Sequence, residues 1–500
     1  MEQLLQSLKK GKMEIVTLPN PQSQKGQVLV RTYYSAISTG TEGKTVSDAR
    51  KGYVAKAQSR KEEVSKVIKA AQNFGISDTY KMVMNKLESL QPLGYSLSGE
   101  VIDVGEGVKE FKPGDRVACG GATASHAELV VVPKNLVVKL QPKTPMDQAA
   151  FTTIGAIALQ GIRRSGLNIG ENAAVIGLGL IGQITVKLLK AAGIRAFGID
   201  IKADLVDQAL QSGAEGASLR SDALLETKVA EFAHGEGVDA VIITAGTSSL
   251  DPVELAGTLC RTHGKVVIVG SVPTGFSRKN YYRKELELLM STSYGPGRYD
   301  SNYEEKGLDY PIGQVRWTEN RNMQAFSEML SRESIYLNDL ITHRFDFENA
   351  QKAFDVVVDT EVEKMGVLLE YNTEKPISLK ANKKKQSPSG TGVSVIGAGS
   401  FSGNFLMPNL ATHMELDGVL TSRPHTAENA RRKFGFKNAF ASADELLDSD
   451  GSAAVVIATR HDTHADFAMR ALEKGKRVFL EKPMCLNKAE YLSLRSRLIQ

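Results

Sequence analysis

The stretch Asn172–Asp200, "NAAVIGLGLIGQITVKLLKAAGIRAFGID", decides how the middle of this chain folds. An apolar run closes on Val175 and Ile176, and Gly177, Gly179 and Gly182 then spell G-x-G-x-x-G. Ile184, Leu188 and Leu189 recur on one helical face, and a second apolar run ends at Asp200. Strand, glycine turn, helix and strand make a βαβ unit that cradles a dinucleotide. The first glycine makes the tight turn, the second lets the backbone approach a pyrophosphate, and the third lets the helix pack closely. The helix opens at Leu180 and Ile181, whose free N–H groups and positive dipole end face the phosphates. Asp200 stands about twenty residues beyond the motif, where a carboxylate accepts from both ribose hydroxyls. It would repel a 2′-phosphate, so this unit is expected to take NAD rather than NADP.

Two further apolar runs, "VDAVIITAG" (Val238–Gly246) and "GKVVIVGSV" (Gly264–Val272), carry a parallel sheet to about Ser271. The glycine turn then recurs in "TGVSVIGAGSFSGNFLMPNL" (Thr391–Leu410). Gly397, Gly399 and Ser400 repeat the phosphate turn, with Ser402 as the third small residue. Its second strand, "ELDGVLTSRP", ends on Thr421, Ser422 and Arg423 instead of a carboxylate. The ribose clamp is gone and a cation suits a 2′-phosphate, so NAD and NADP are both compatible with this second Rossmann fold. A Rossmann domain retained only for packing is the competing reading. Between the two folds, "NTEKPISLKANKKKQSPSGTG" loses apolar periodicity and reads as a linker.

Bulk properties bound the remaining choices. A chain of 500 residues exceeds one ordinary core. Net charge is only +5 and no basic stripe carries interleaved aromatics, so no nucleic acid is expected. Cys119, Cys260 and Cys485 are far apart and form no Cys-x-x-Cys pair, which supports neither a disulfide framework nor a zinc knuckle. No apolar run approaches about 20 residues and the N-terminus lacks a signal-peptide core, so a cytoplasmic protein without membrane contact is expected.

Several stretches resemble the medium-chain dehydrogenase/reductase (alcohol dehydrogenase-like) family, in order. They are "QVLVRTYYSAISTGTE" (Gln27–Glu42), "VGEGVKEFKPGDRV" within Pro92–Cys119, "SHAELVVVPKNLVVKL" (Ser125–Leu140) and "ITHRFDFENAQKAFDVV" (Ile341–Val357). The resemblance implies an α/β fold in which a GroES-like partial β-barrel is split around a Rossmann domain, with the active site between them. The expected domains are 1–140 with 300–371 for the barrel, and 141–299 for the NAD-binding Rossmann domain. Residues 44–91 form a helical insert, 372–390 the linker and 391–500 the second Rossmann domain. In the insert, Val64, Val67, Ile68 and Ala71, then Tyr80, Val83, Met84 and Leu87, fall at helical spacing. They suit packing or an oligomer surface, and a homo-oligomer is expected.

"VVIATRHDTHADFAMRAL" (Val455–Leu472) and "GKRVFLEKPMCL" (Gly475–Leu486) resemble the N-terminal half of the Gfo/Idh/MocA oxidoreductases, which act mostly on sugars and cyclitols. That resemblance implies Lys482 beside nicotinamide and substrate, Glu481 at the cofactor, and His464 as a catalytic partner. Members of that family continue into a substrate-completing α/β lobe. The sequence ends at Gln500, before such a lobe, so either it is a piece of a longer chain or the second site is incomplete. The fusion of the two parts is similar to bi-domain oxidoreductases of polysaccharide or sugar-nucleotide metabolism.

Catalytic zinc needs three protein ligands and an open position. Here the resemblance puts Ser38 at the cysteine position, Tyr95-Ser96 at the His-Glu position, and Thr152 and Thr153 near the third. No zinc and no other metal is expected. Side chains must then handle the proton and the developing oxyanion. Tyr95 and His126 are the candidates, His126 because histidine titrates near neutrality, with Ser38 and Glu42 lining the same cleft.

The stretch Ser291–Asn322, "STSYGPGRYDSNYEEKGLDYPIGQVRWTENRN", holds four of the 14 tyrosines and the only tryptophan. Aromatic faces stack on sugars or bases and arginines pair with phosphates, which makes Tyr294, Arg298, Arg316 and Trp317 substrate-binding candidates. The expected activity is an NAD(P)-dependent, zinc-independent oxidoreductase acting on CH–OH groups of a sugar or sugar nucleotide. The second half would perform a second redox step or hold a shared product. A non-catalytic dinucleotide sensor or scaffold, and a zinc-dependent alcohol dehydrogenase, are the alternatives.

Overall fold

A computed structural model of the protein describes residues 1–7, 9, 11–50, 67–69, 71–73, 75–377 and 390–499. The strand Asn172–Ile176 is apolar at nearly every position because helices cover both faces of its sheet. It sits third in a six-stranded parallel sheet. The spatial order is Gly216–Leu219, Arg195–Asp200, Asn172–Ile176, Val238–Ile243, Cys260–Ile268 and Glu287–Met290. In chain order this is 3-2-1-4-5-6, and the order reverses between the first and fourth strands, where doubly wound sheets bind ligand. Gly177 lies in that reversal at φ +95°, and a Cβ there would come within 2.5 Å of the Ala245 nitrogen. Gly182 has no room either, since its Cβ would lie 2.0 Å from the Gly177 carbonyl oxygen.

The second sheet is built around Gln27–Ile37. This strand pairs antiparallel with Ser96–Val104, Leu129–Pro133 and Gly366–Glu370. Arg116–Gly120, Val137–Lys139 and Ile341–Asp346 extend it to a seven-stranded GroES-like sheet. The strand from the far end of the unit, Gly366–Glu370, places Leu369 opposite Ser35. Residues more than 300 positions apart thereby become neighbours. A helix, Thr152–Ser165, runs between this barrel and the Rossmann sheet and is buried along most of its length. In the insert region, Thr41–Arg50 and Ile76–Glu88 are helical. Val64 lies outside the described residues, while Val67, Ile68 and Tyr80 are exposed.

The final unit, from Gly392 onward, is a five-stranded parallel sheet. Its order is Asn438–Phe440, Leu416–Leu420, Gly392–Ile396, Ser452–Ile457 and Arg477–Leu480. Most of the expected linker, residues 378–389, lies outside the described residues. This unit touches the first through Asn429, whose amide both donates to the Leu90 carbonyl at 3.0 Å and accepts from the Leu90 nitrogen at 3.1 Å. Arg432 adds an ion pair to Glu14 at 2.7 Å. No helix among the described residues is long and apolar enough to cross a membrane.

Candidate active site

The cofactor turn is already organised by its own acid. Asp200 accepts through Oδ2 from the Leu178 nitrogen at 2.6 Å, and through Oδ1 from the nitrogens of Ile201 and Lys202 at 2.7 and 3.1 Å. The carboxylate thus fixes the turn between Gly177 and Gly179. The helix Leu180–Ala191 starts with no side-chain cap, so its first N–H groups stay available for an anion. The exposed Gly179 and the room at that turn fit a pyrophosphate, and Asp200 fits a ribose.

Tyr95 is half-buried, and its hydroxyl faces those of Ser38 and Thr41. Burial pushes the phenol up to about 12, and the nearby Glu42 charge pushes the same way against the two hydroxyls. Its ring packs on the apolar cluster that also holds Leu180 and Ile181 from the cofactor helix. Tyr95 and the start of that helix therefore border one apolar cluster, although 85 positions of sequence separate Tyr95 from Leu180.

His126 is placed differently from an exposed acid–base group. It is 0% exposed, and both ring nitrogens are occupied by protein. Nε2 lies 3.0 Å from Glu42 Oε1, and Nδ1 lies 2.7 Å from Ser35 Oγ. Ser35 Oγ is 2.9 Å from the Tyr371 hydroxyl, and Glu42 Oε2 accepts from the Ser38 nitrogen at 2.9 Å. With Glu42 as the acceptor, Nε2–H donates to it, Nδ1 accepts from Ser35, and Ser35 accepts from Tyr371. The chain Tyr371–Ser35–His126–Glu42 ends on the backbone of Ser38, the residue whose hydroxyl faces Tyr95. Ser35 and Tyr371 were not legible as site residues. The one local signal was that Ser35 is a polar residue on a strand otherwise rich in apolar ones.

Tyr95 stands at the histidine position of the resemblance; of the hydroxyls around the expected ligand positions, Ser96, Thr153 and Ser38 are tied to backbone and Thr152 Oγ1 has no hydrogen-bond partner. Ser96 Oγ donates to the Ala150 carbonyl at 2.6 Å and accepts from the Thr153 nitrogen at 3.3 Å. Thr153 Oγ1 donates to the Cys119 carbonyl at 3.3 Å, and Ser38 Oγ accepts from the Thr41 nitrogen at 3.3 Å. Neutral hydroxyls tied to backbone do not fit zinc, which takes thiolate, imidazole or carboxylate. Among the described residues no group of three His, Cys, Asp or Glu is arranged to hold a metal.

The stretch Ser291–Asn322 divides into two sets. Tyr294 is 2% exposed and faces Glu319, which is 0% exposed. Neither the Tyr294 hydroxyl nor either Glu319 oxygen completes a hydrogen bond. Arg298 pairs with Glu304 at 2.5 Å beside them. Burial first, then the Glu304 charge, pushes Glu319 up to about 8 against Arg298 and the Tyr294 hydroxyl. Arg316 and Trp317 belong to a second set with Arg163, joined to the first through Asn322.

In the last unit, Gly397 repeats the positive φ of Gly177, at +103°. Gly399, Ser400, Ser422 and Arg423 are exposed around that turn. His464 is buried, with Nδ1 2.7 Å from the Pro483 carbonyl and Nε2 3.2 Å from that of Thr459. It braces the loop that carries Glu481 and the exposed Lys482 and does not present a free nitrogen.

Comparison with known proteins gives three family matches. Residues 66–142 match the alcohol dehydrogenase GroES-like domain, 181–306 the zinc-binding dehydrogenase family, and 391–497 an oxidoreductase family with an NAD-binding Rossmann fold. The chain is 33% identical to (R,R)-butanediol dehydrogenase of Bacillus subtilis (strain 168), over 35% of its own length. It spans 58% of that relative. It is 25% identical to D-guloside 3-dehydrogenase of Escherichia coli (strain K12), over 55% of this chain and 77% of the relative. The solved alcohol dehydrogenase from Thermus sp. ATN1 superposes with a TM-score of 0.56 at 19% identity, covering 74% of this chain and all of that one. The three matches together support a fused architecture, an alcohol dehydrogenase-like unit with a GroES-like domain and its Rossmann domain followed by a second Rossmann domain similar to the Gfo/Idh/MocA oxidoreductases.

Proposed function

We propose that the first unit is an NAD-dependent, zinc-independent oxidoreductase that interconverts an alcohol and a carbonyl on a sugar or sugar nucleotide. The observation that carries this is that Tyr95, Leu180 and Ile181 border one apolar cluster. A phenol donor thereby shares an apolar wall with the start of the cofactor helix. Gly177, Gly179, Gly182 and Asp200 would hold the dinucleotide, which when bound supplies the hydride donor or acceptor. In the reducing direction Tyr95 donates its proton to the carbonyl oxygen as the adjacent carbon gains hydride. In the oxidising direction the hydroxyl proton of the substrate returns to Tyr95. Glu42 and His126 are positioning residues: they hold the Ser38 loop and so the Tyr95 hydroxyl. Relatives named for a guloside and a butanediol support a polyol or sugar substrate. In the second Rossmann domain, the exposed Arg423 supports NADP as well as NAD.

Reduced-nicotinamide absorbance after chelation, with a panel of sugars and sugar nucleotides, tests the reading. Turnover that survives removal of metal is expected. Turnover that requires stoichiometric zinc would overturn it. Cofactor choice gives a second test. Asp200→Ser removes the carboxylate that would accept from the ribose and repel a 2′-phosphate. The KM for NAD is expected to rise about tenfold, with preference moving toward NADP, because a charge-assisted bond is lost. Unchanged preference would remove Asp200 from cofactor recognition.

A further inference from the structure

Arg163 and Arg316 both stack on Trp317, with guanidinium carbons 3.2 and 3.8 Å from the ring centroid. The first comes from the helix Thr152–Ser165, and the second immediately precedes the tryptophan. Arg163 Nε donates to Asn322 Oδ1 at 2.7 Å. Asn322 is itself held by the Tyr294 carbonyl and the Gln160 amide oxygen, at 2.8 and 3.1 Å. One guanidinium is thus fixed from within the fold, and the other stands exposed.

Their neighbours are neutralised in the usual way. Arg298 pairs with Glu304, and Arg321 with Asp309. Arg163 and Arg316 have no carboxylate partner among the described residues. Burial and the like charge of Arg316 push Arg163 down to about 10. Two cations held together on one ring, one of them half-buried, are unfavourable unless an anion completes them. Each planar fork carries N–H donors that suit phosphoryl oxygens, and the two successive phosphoryl groups of a diphosphate would offset both charges.

We infer that Arg163 and Arg316, held on Trp317, form a phosphoryl-anion site whose occupant is the diphosphate of a nucleotide-linked substrate. The identity of that bearer rests on the sugar-nucleotide reading above; the anion site itself does not.

Trp317 is the only tryptophan in the chain, so its fluorescence reports the site without turnover. The full chain is titrated with pyrophosphate, then with uridine diphosphate, against sodium chloride at matched ionic strength. A saturable change is expected with both phosphates and none with chloride. Arg316→Gln and Arg163→Gln are each expected to weaken it about tenfold, the effect of losing one charge-assisted contact. Arg316 is exposed and makes no hydrogen bond among the described residues, so its replacement leaves the fold intact. No saturable change, or one unaltered in Arg316→Gln, would overturn the site. A response to pyrophosphate but none to uridine diphosphate would overturn the bearer. Failure of the absorbance assay, with fluorescence binding intact, would count against the redox reading alone.

Discussion

Tyr95→Phe is expected to lower turnover by about 10²–10⁴-fold, the range for a positioned proton-transfer group, with the KM for NAD little changed. The ring packs in the apolar cluster shared with Leu180 and Ile181, and phenylalanine keeps that packing. Only the hydroxyl that faces Ser38 and Thr41 is removed. The direction of the pH dependence follows from the phenol's position at about 12. Below that value Tyr95 stays protonated, so the reducing rate is expected to be level across neutral pH as far as this group is concerned. The oxidising rate needs the tyrosinate, whose fraction rises about tenfold per pH unit below its pKa, so that rate is expected to climb. Initial rates in both directions across neutral to mildly alkaline pH check this. Equal turnover in Tyr95→Phe and the parent would sink the assignment. His126 would not inherit the role by direct contact, because both its nitrogens are already spent on Glu42 and Ser35.

The glycine turns were legible because their constraint is local. Gly177, Gly182 and Gly397 sit where a Cβ would strike backbone, and a strand and a helix flank each turn in the sequence itself. Asp200 was legible for the same reason, by its distance along one βαβ unit. The buried chain that ends on Ser38 was not. Ser35 meets Tyr371 only because the strand Gly366–Glu370 returns to pair with Gln27–Ile37. No spacing within either segment signals that meeting. His126 was a candidate because histidine titrates near neutrality, yet the fold buries it completely and satisfies it with a carboxylate and a hydroxyl. Arg298 and Arg316 looked equivalent in sequence. Their difference lies in Glu304, which neutralises one, and in Arg163, which reaches the other from a separate helix.

Glu319→Gln is expected to make the protein more stable above neutral pH and to leave it nearly unchanged near pH 5. Glu319 is fully buried, its oxygens complete no hydrogen bond, and burial with the Glu304 charge pushes it up to about 8. In the unfolded chain the same carboxyl titrates near its ordinary value of 4.5. Between those two values the native state holds one proton more than the unfolded state, so stability falls as pH rises. At one pKa unit per 1.36 kcal/mol, the cost is about 3 kcal/mol by pH 7 and greater at pH 8. Glutamine keeps the shape and the burial but has no proton to lose, so that slope disappears. Burial sets the sign; Glu304 reinforces the shift, and Arg298 and the Tyr294 hydroxyl oppose it. Melting temperatures of both proteins, measured together from about pH 5 to pH 8, read the difference directly. A gap that widens with pH in favour of the glutamine variant is the expected result. A constant gap would mean that Glu319 is ionised throughout, with Arg298 rather than Glu304 governing its charge.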